Sequence, residues 1–185
     1  MSSIRPFAFR LIVAISFGCS GFLPVAVAAA QHDAHVSDVR SPLVETVRQA
    51  TDLFRDVGNT SGAGYGPALG CVSGPEEGAM GVHYVNPELL LDNELIPTRP
   101  EALIYEFNGN VARLVGVEFI VIAEVWHQTH ALNDPPILAG QLLHFVDSPN
   151  RFGLPAHYEL HVWAWRDNPK GVFVDWNPRV SCDGQ

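Results

Sequence analysis

One short segment carries three side chains that could bind a metal ion. Alternate positions of the run 156–165 hold His157, Glu159 and His161, and two tryptophans follow at the same spacing. In an extended strand, alternate side chains point to one face, with residues i and i+2 about 6.5–7 Å apart. Two imidazoles and a carboxylate are ligand types that divalent transition metals take. The pattern therefore predicts a metal site with His157, His161 and Glu159 as ligands.

Other strands must complete such a site. His83 lies in an alternating apolar run (81–85), and we predict it as a further metal ligand. Glu118 lies among valines and isoleucines, where a buried carboxyl group needs a partner. We predict Glu118 and Glu159 as the catalytic carboxyl groups, each able to act as ligand or acid–base group. The sequence leaves open whether Glu118 faces the pocket.

These ligand types define a function hypothesis without identifying the metal. Imidazole suits zinc, iron and copper alike, so the cofactor is expected to be one of these divalent transition metals. The hypothesis is an exported metal-binding protein that acts as an enzyme on a small organic molecule. The competing interpretation is that the histidines are merely hydrogen-bonded strand residues; His127 and His130, three apart before a loop, are interpreted as surface residues.

Aromatic residues suggest a second class of function. We predict that Trp163, Trp165 and His144 line a ligand pocket. The rim of this pocket is predicted to be formed by Asn150, Arg151 and Phe152, in the loop before Pro155. The alternative function is a non-catalytic module that holds an apolar small ligand in an aromatic-lined barrel; Trp126 and Phe119 would complete its wall. A structural envelope protein, with its interior filled by side chains, is the third possibility.

The elements that position these residues follow from periodicity. Ser41 and Pro42 begin a predicted helix whose apolar face repeats at helical spacing and which ends at Gly58. Asn108-Gly109-Asn110 predicts a hairpin between strands 102–107 and 111–125. Further strands are predicted at 141–146, 156–165 and 172–176, the last two joined by a turn at 168–171. The fold class is α+β: an N-terminal helix packed on a curved antiparallel sheet or partial β-barrel.

The N-terminus has the pattern of a targeting segment. Residues 1–30 combine a basic start, an apolar middle and a final run of alanines, which is typical of a secretory signal peptide. We expect cleavage after Ala30, a loose leader over 31–40 and one globular domain over 41–185. The protein is then secreted or periplasmic, with no stable membrane span; retention of the segment as a span is the alternative.

Net charge and motifs limit the classes of partner that the protein is expected to bind, and the cysteine content predicts a disulfide. The formal net charge of −9 disfavours binding to phosphate backbones, so we expect a small-molecule partner and no nucleic acid. The sequence lacks the glycine-rich phosphate-binding motifs and the Gly-x-Ser-x-Gly nucleophile motif. After signal cleavage two cysteines are left, and in an oxidising compartment Cys71 and Cys182 are predicted to form a disulfide.

Most of residues 65–183 resembles a group of secreted bacterial proteins without an assigned activity. The likeness is carried by the runs 156–169 and 175–182, with support from 70–78 and 81–84, and it covers most of residues 65–183. The resemblance implies a bacterial exported protein and transfers no mechanism. The order of a helix followed by a curved sheet is also similar to nuclear-transport-factor-like domains, as an analogy at the level of fold.

Overall fold

The computed structural model describes residues 41–74 and 76–184. The predicted signal peptide (1–30) and leader (31–40) lie outside the described residues. The helices and strands in chain order are α1 (Pro42–Thr51), β1 (Gly66–Gly74), β2 (Gly78–Val85), α2 (Pro87–Leu91), β3 (Ala102–Asn108), β4 (Val111–Ile122), α3 (Ala123–Trp126), β5 (Ile137–Leu138), β6 (Gln141–Leu142), β7 (His144–Val146) and β8 (His157–Val162). No helix in this described part is long and apolar enough to cross a membrane.

Six of these strands form one antiparallel sheet in the order β1-β2-β3-β4-β8-β7. The sheet curls into a half-barrel, and β5 and β6 pair separately. The predicted α+β class with a curved antiparallel sheet is therefore confirmed. The predicted hairpin is confirmed as well, since Asn108 pairs with Val111 at the tight turn between β3 and β4.

The two faces of the sheet have different chemistry. One face packs with α1 into the main core, to which β8 contributes Tyr158, Leu160 and Val162. Leu43 and Val47 of α1 are buried in the same cluster. The intervening residues of β8 point to the other face, as the alternation in the sequence predicts. That second face carries the polar residues described below.

The helix is shorter than predicted. It ends at Thr51 rather than Gly58, and the chain continues through short 3₁₀ turns to β1. Ser41 does not cap it through its side chain. Thr51 is fully buried; its hydroxyl donates to the carbonyl of Val47 at 2.7 Å and accepts from the indole of Trp165 at 3.0 Å. The hydrogen bond from Trp165 ties the end of the helix to the segment after β8. The apolar period of the sequence does not contain this contact.

Four predicted strands also need correction. The long strand ends at Ile122 and continues as α3, the segment 141–146 is divided between β6 and β7, and the 156–165 strand covers only His157–Val162. The predicted strand at 172–176 is not formed. Asn168 explains part of this difference: its amide donates to the carbonyl of Trp176 and its oxygen accepts from the Lys170 amide, so side-chain bonds replace a strand ladder.

The C-terminal segment 163–184 is fastened to the sheet at several points. Cys182 is bonded to Cys71 of β1, which confirms the predicted disulfide. Asn177 exchanges two backbone hydrogen bonds with Ala79 of β2. At Gly78 a side-chain β-carbon would lie 2.3 Å from the carbonyl oxygen of Asn177, so this close approach requires glycine. The irregular segment therefore lies against β1 and β2 and brings Asp175 toward the polar face.

Candidate metal centre

Three buried residues from three strands meet on the second face of the sheet. They are His83 on β2, Glu118 on β4 and His161 on β8, which we call the central triad. Glu118 pairs directly with His161 in the antiparallel register. β3 runs between β2 and β4, and its residue opposite Glu118 is Ala102. Because alanine is small, the side chains of His83 and Glu118 can meet above β3.

The ligand atoms of the central triad are close together. His83 Nε2 lies 3.3 Å from Glu118 Oε2, and His161 Nε2 lies 4.0 Å from Glu118 Oε1. The two imidazole rings are perpendicular, with centroids 5.9 Å apart. One ligand atom from each residue lies within 4.8 Å of the others. A divalent ion takes nitrogen and oxygen ligands at about 2.0–2.2 Å, so modest side-chain movement would allow this group to hold one.

The histidines of the triad have unused ring nitrogens. Within residues 41–74 and 76–184, His161 makes no hydrogen bond through either nitrogen, and His83 makes none through Nδ1. Both side chains are at most 4% exposed. An unpaired buried polar atom costs about 1–3 kcal/mol, and such atoms in a folded protein call for an explanation such as an ion. The triad thus offers buried ligand atoms that could hold a metal ion.

The low pKa values of the two histidines favour metal binding, because an imidazole must be neutral to ligate a metal. Burial lowers the pKa of His83 to about 3, with the nearby His161 as the next cause. Burial likewise lowers the pKa of His161. Both rings are therefore neutral near pH 7, which is the form that ligates a metal.

Two carboxyl groups near these rings have pKa values shifted in opposite directions. Burial, followed by the charge of Glu159 and the hydrogen bond with it, raises the pKa of Glu118 well above its usual range. For Glu159, burial acts upward, but hydrogen bonds with His157 and Glu118 and the nearby His161 together lower the pKa to about 2. Glu118 is therefore protonated more readily than Glu159.

His157 does not join the triad, which corrects the predicted ligand set. Its Nδ1 lies 2.8 Å from the carbonyl oxygen of Pro155 and its Nε2 lies 3.1 Å from Glu159 Oε2, so both nitrogens are already used. These two hydrogen bonds outweigh burial and raise the pKa of His157. Glu118, predicted as a catalytic carboxyl group able to act as ligand or acid–base group, is the third member of the triad. Glu159 borders the same small cavity as Glu118, and its carboxyl group is hydrogen-bonded to His157.

Asp175 links the triad to the surface. Its Oδ1 lies 3.6 Å from His161 Nδ1, and its Oδ2 lies 3.5 Å from Nδ1 of His144. His144 is 67% exposed, so it does not line a buried pocket as predicted. His144, Glu159 and Asp175 also bring one ligand atom each within 4.8 Å of one another. Asp175 was not singled out from the sequence, because its position depends on the irregular segment 163–184 and not on a short-range pattern.

The tryptophans do not form the predicted aromatic pocket. Trp163 lies in a separate small core with Ala79, Ile104, Val115 and Val180. Trp165 packs against the main core on the side of α1, because the alternation of β8 ends at Val162. Phe119 is fully buried in the main core, and Trp126 packs against the outside of that core. Gly116 allows this part of the chain to approach closely, since a β-carbon there would lie 2.9 Å from the carbonyl oxygen of Val162 and 3.3 Å from the ring of Trp163.

Two adjoining cavities lie beside the triad. The smaller, of about 20 Å³, is bordered by His83, Glu118, His157 and Glu159 together with apolar side chains. The larger, of about 630 Å³, opens next to it. Phe152, predicted at the rim of a pocket, lines both of them. The other apolar lining residues had no distinctive signal in the sequence, because they come from five separate parts of the chain.

Comparisons of the chain with protein-family models, with curated proteins and with solved structures found no match.

Proposed function

We propose that the protein binds one divalent transition-metal ion through His83, Glu118 and His161, and that it acts as an exported enzyme on a small molecule. The observation that carries this proposal is the burial of three converging ligand atoms from three strands, with imidazole nitrogens that lack hydrogen-bond partners. The Cys71–Cys182 disulfide supports a secreted or periplasmic setting, because disulfides persist in oxidising compartments.

The residues around the triad have distinct roles in this proposal. His83, Glu118 and His161 would hold the ion, and the ion would supply a Lewis acid able to polarise a substrate oxygen or to lower the pKa of a water. Glu118 would bind the ion as a carboxylate, and any proton on it would be released to solvent on metal binding. Glu159 lies next to it and serves as the acid–base group, while His157 fixes the orientation of Glu159 through the 3.1 Å hydrogen bond. Zinc, iron and copper all fit imidazole and carboxylate ligands.

Metal titration of the untagged protein tests the proposal. Protein stripped with a chelator should bind one zinc or cobalt ion in isothermal titration calorimetry. His83→Ala and His161→Ala should each abolish this binding, whereas His130→Ala, a histidine outside the site, should keep it. Circular dichroism would establish that each variant is folded, and His161→Gln offers a more conservative replacement. Unchanged one-to-one binding in the folded triad variants would refute the metal centre.

The alternative function is a non-catalytic module for an apolar small ligand. The cavity of about 630 Å³ favours it, because most of its lining residues are apolar. Such a module would bind its ligand equally well before and after chelation, and the triad would then be a buried hydrogen-bonding cluster without an ion.

A further inference from the structure

We infer that the larger cavity is the substrate pocket of the proposed centre, and that it takes a neutral, largely apolar molecule with one small polar end. This inference rests on the proposed function. It adds the chemical class of the substrate and the direction in which the substrate enters.

The two cavities share a wall that leads to the triad. Leu69, Val85, Ile120, Phe152 and Leu154 line both of them. Val85 and Ile120 each lie two residues beyond a triad residue on the same strand, His83 on β2 and Glu118 on β4. Residues i and i+2 of a strand share a face. The pocket therefore extends along the same face of the sheet that carries the triad.

The lining of the larger cavity selects against charged ligands. Among the described residues that border it, none is acidic or basic; they include glycine, alanine, proline, leucine, valine, isoleucine and phenylalanine. Two hydroxyl groups are present, on Ser61 and Tyr65, and that of Tyr65 already donates to the carbonyl of Pro100 at 2.7 Å. Burying an unpaired charge in such surroundings is strongly unfavourable. The body of the ligand is therefore uncharged and apolar.

The difference in size between the cavities sets the orientation of the ligand. About 630 Å³ is within the range of small-molecule sites. The cavity at the carboxyl groups, at about 20 Å³, has room for roughly one water. Only a small group such as a hydroxyl or carbonyl oxygen fits there. The apolar part of the ligand must occupy the larger cavity while its polar end reaches Glu118.

Asn150 holds the outer wall of this pocket in place. Its side-chain amide donates to the carbonyls of Asp147 and Leu154 at 3.0 and 2.9 Å, and its oxygen accepts from the Phe152 amide at 3.1 Å. These bonds fix the loop between β7 and β8, which places Phe152 and Leu154 against the shared wall. The two side chains are thereby placed to determine which ligands fit.

Displacement of a neutral dye by primary alcohols tests the inference. The wild-type protein should bind N-phenyl-1-naphthylamine with a rise in fluorescence, and alcohols from butanol to decanol should displace it. Each added methylene should tighten binding about fourfold until the cavity is full, the factor that corresponds to about 0.8 kcal/mol per buried CH₂ group. Leu154→Trp should weaken dye binding at least about tenfold by filling the pocket, whereas Leu142→Trp, at an exposed leucine on β6, should leave it unchanged.

The cobalt form separates failure of this inference from failure of the metal centre. Octanol should change the visible spectrum of the cobalt-loaded wild-type protein but not that of Leu154→Trp, and both should bind cobalt one to one. A protein that binds cobalt but neither takes up the dye nor responds to octanol would overturn the pocket assignment alone. A folded protein that binds the dye and the alcohols but no cobalt would overturn the metal centre, and with it the substrate role of the pocket.

Discussion

The carboxyl group of Glu118 lies 3.3 Å from the imidazole of His83, although β3 runs between their two strands. Ala102, opposite Glu118 on β3, leaves the space above the sheet open for this contact. Glu118 also pairs with His161 on the next strand, β8, so one carboxyl group is shared by two imidazoles. This arrangement is the basis for proposing Glu118 as a metal ligand.

Replacing Glu118 should separate metal binding from folding. Glu118→Gln should weaken zinc affinity by more than about 100-fold, because even loss of an outer-shell partner commonly costs about 10–100-fold. The metal-free variant should be at least as stable as the wild type, because the glutamine amide can still donate to Glu159 without a buried acid. Thermal unfolding with and without zinc checks both points: the wild type should gain stability from zinc, by about 2.7 kcal/mol at 100 times Kd, and the variant should not. Equal stabilisation by zinc in both proteins would contradict the ligand role.

Asp175 should orient His161 rather than hold the ion. Its carboxylate lies 3.6 Å from the nitrogen of His161 that faces away from Glu118. Asp175→Asn should therefore lower metal affinity by about 10–100-fold and leave the stoichiometry at one. The control is Asp183→Asn, at an exposed aspartate of the same segment. Calorimetric titration measures both quantities; an unchanged affinity would show that Asp175 has no positioning role.

Glu101 should make stability depend on pH. This residue is 1% exposed, and its Oε2 accepts from the Ile120 amide at 2.9 Å, where β3 no longer supplies a partner. Burial is the main cause that raises the pKa of Glu101 from 4.5 to about 8. A carboxyl group whose pKa is higher in the folded state favours folding below pH 4.5, and this contribution is lost as pH rises toward 8. The loss amounts to at most about 5 kcal/mol.

Glu101→Gln isolates that contribution, because glutamine keeps the acceptor and does not ionise. Urea unfolding at pH 5 and pH 8 should show a smaller fall in stability for the variant than for the wild type. At pH 8 the variant should be the more stable protein. Parallel pH profiles for the two proteins would show that Glu101 does not ionise with a raised pKa.

The parts of this molecule that follow a short-range rule were predictable from its sequence. The alternation of β8 placed His157, Glu159 and His161 on one face, and the Asn-Gly turn identified the β3–β4 hairpin. The cysteine pair could be inferred because two cysteines were expected in the exported chain. Each of these features depends on neighbouring residues or on a simple count.

Which residues form the site depends on long-range contacts, and the periodicity of the sequence does not reveal them. Three residues on one face of β8 satisfy the same pattern whether each faces a metal or a hydrogen-bonding partner. His157 is less available as a ligand because its Nδ1 is hydrogen-bonded to the carbonyl of Pro155. His83 can lie close to Glu118 because Ala102, on the strand between them, is small. Asp175 belongs to a segment that is held in place by the hydrogen bond from Asn168 to the carbonyl of Trp176 and by the disulfide. These are long-range relationships, so the sequence alone could not rank the candidates.

The disulfide should support both stability and the metal centre. Cys71 and Cys182 are separated by 111 residues, and closing so long a loop lowers the entropy of the unfolded chain by the equivalent of about 4–5 kcal/mol. The double variant Cys71→Ser, Cys182→Ser should therefore unfold at a markedly lower urea concentration. It should also bind zinc more weakly, because the segment that carries Asp175 is then held to β2 mainly by the Ala79–Asn177 backbone pair. Calorimetry at a temperature where circular dichroism shows the variant folded separates the two effects; zinc affinity equal to that of the wild type would show that the disulfide stabilises the fold without positioning Asp175.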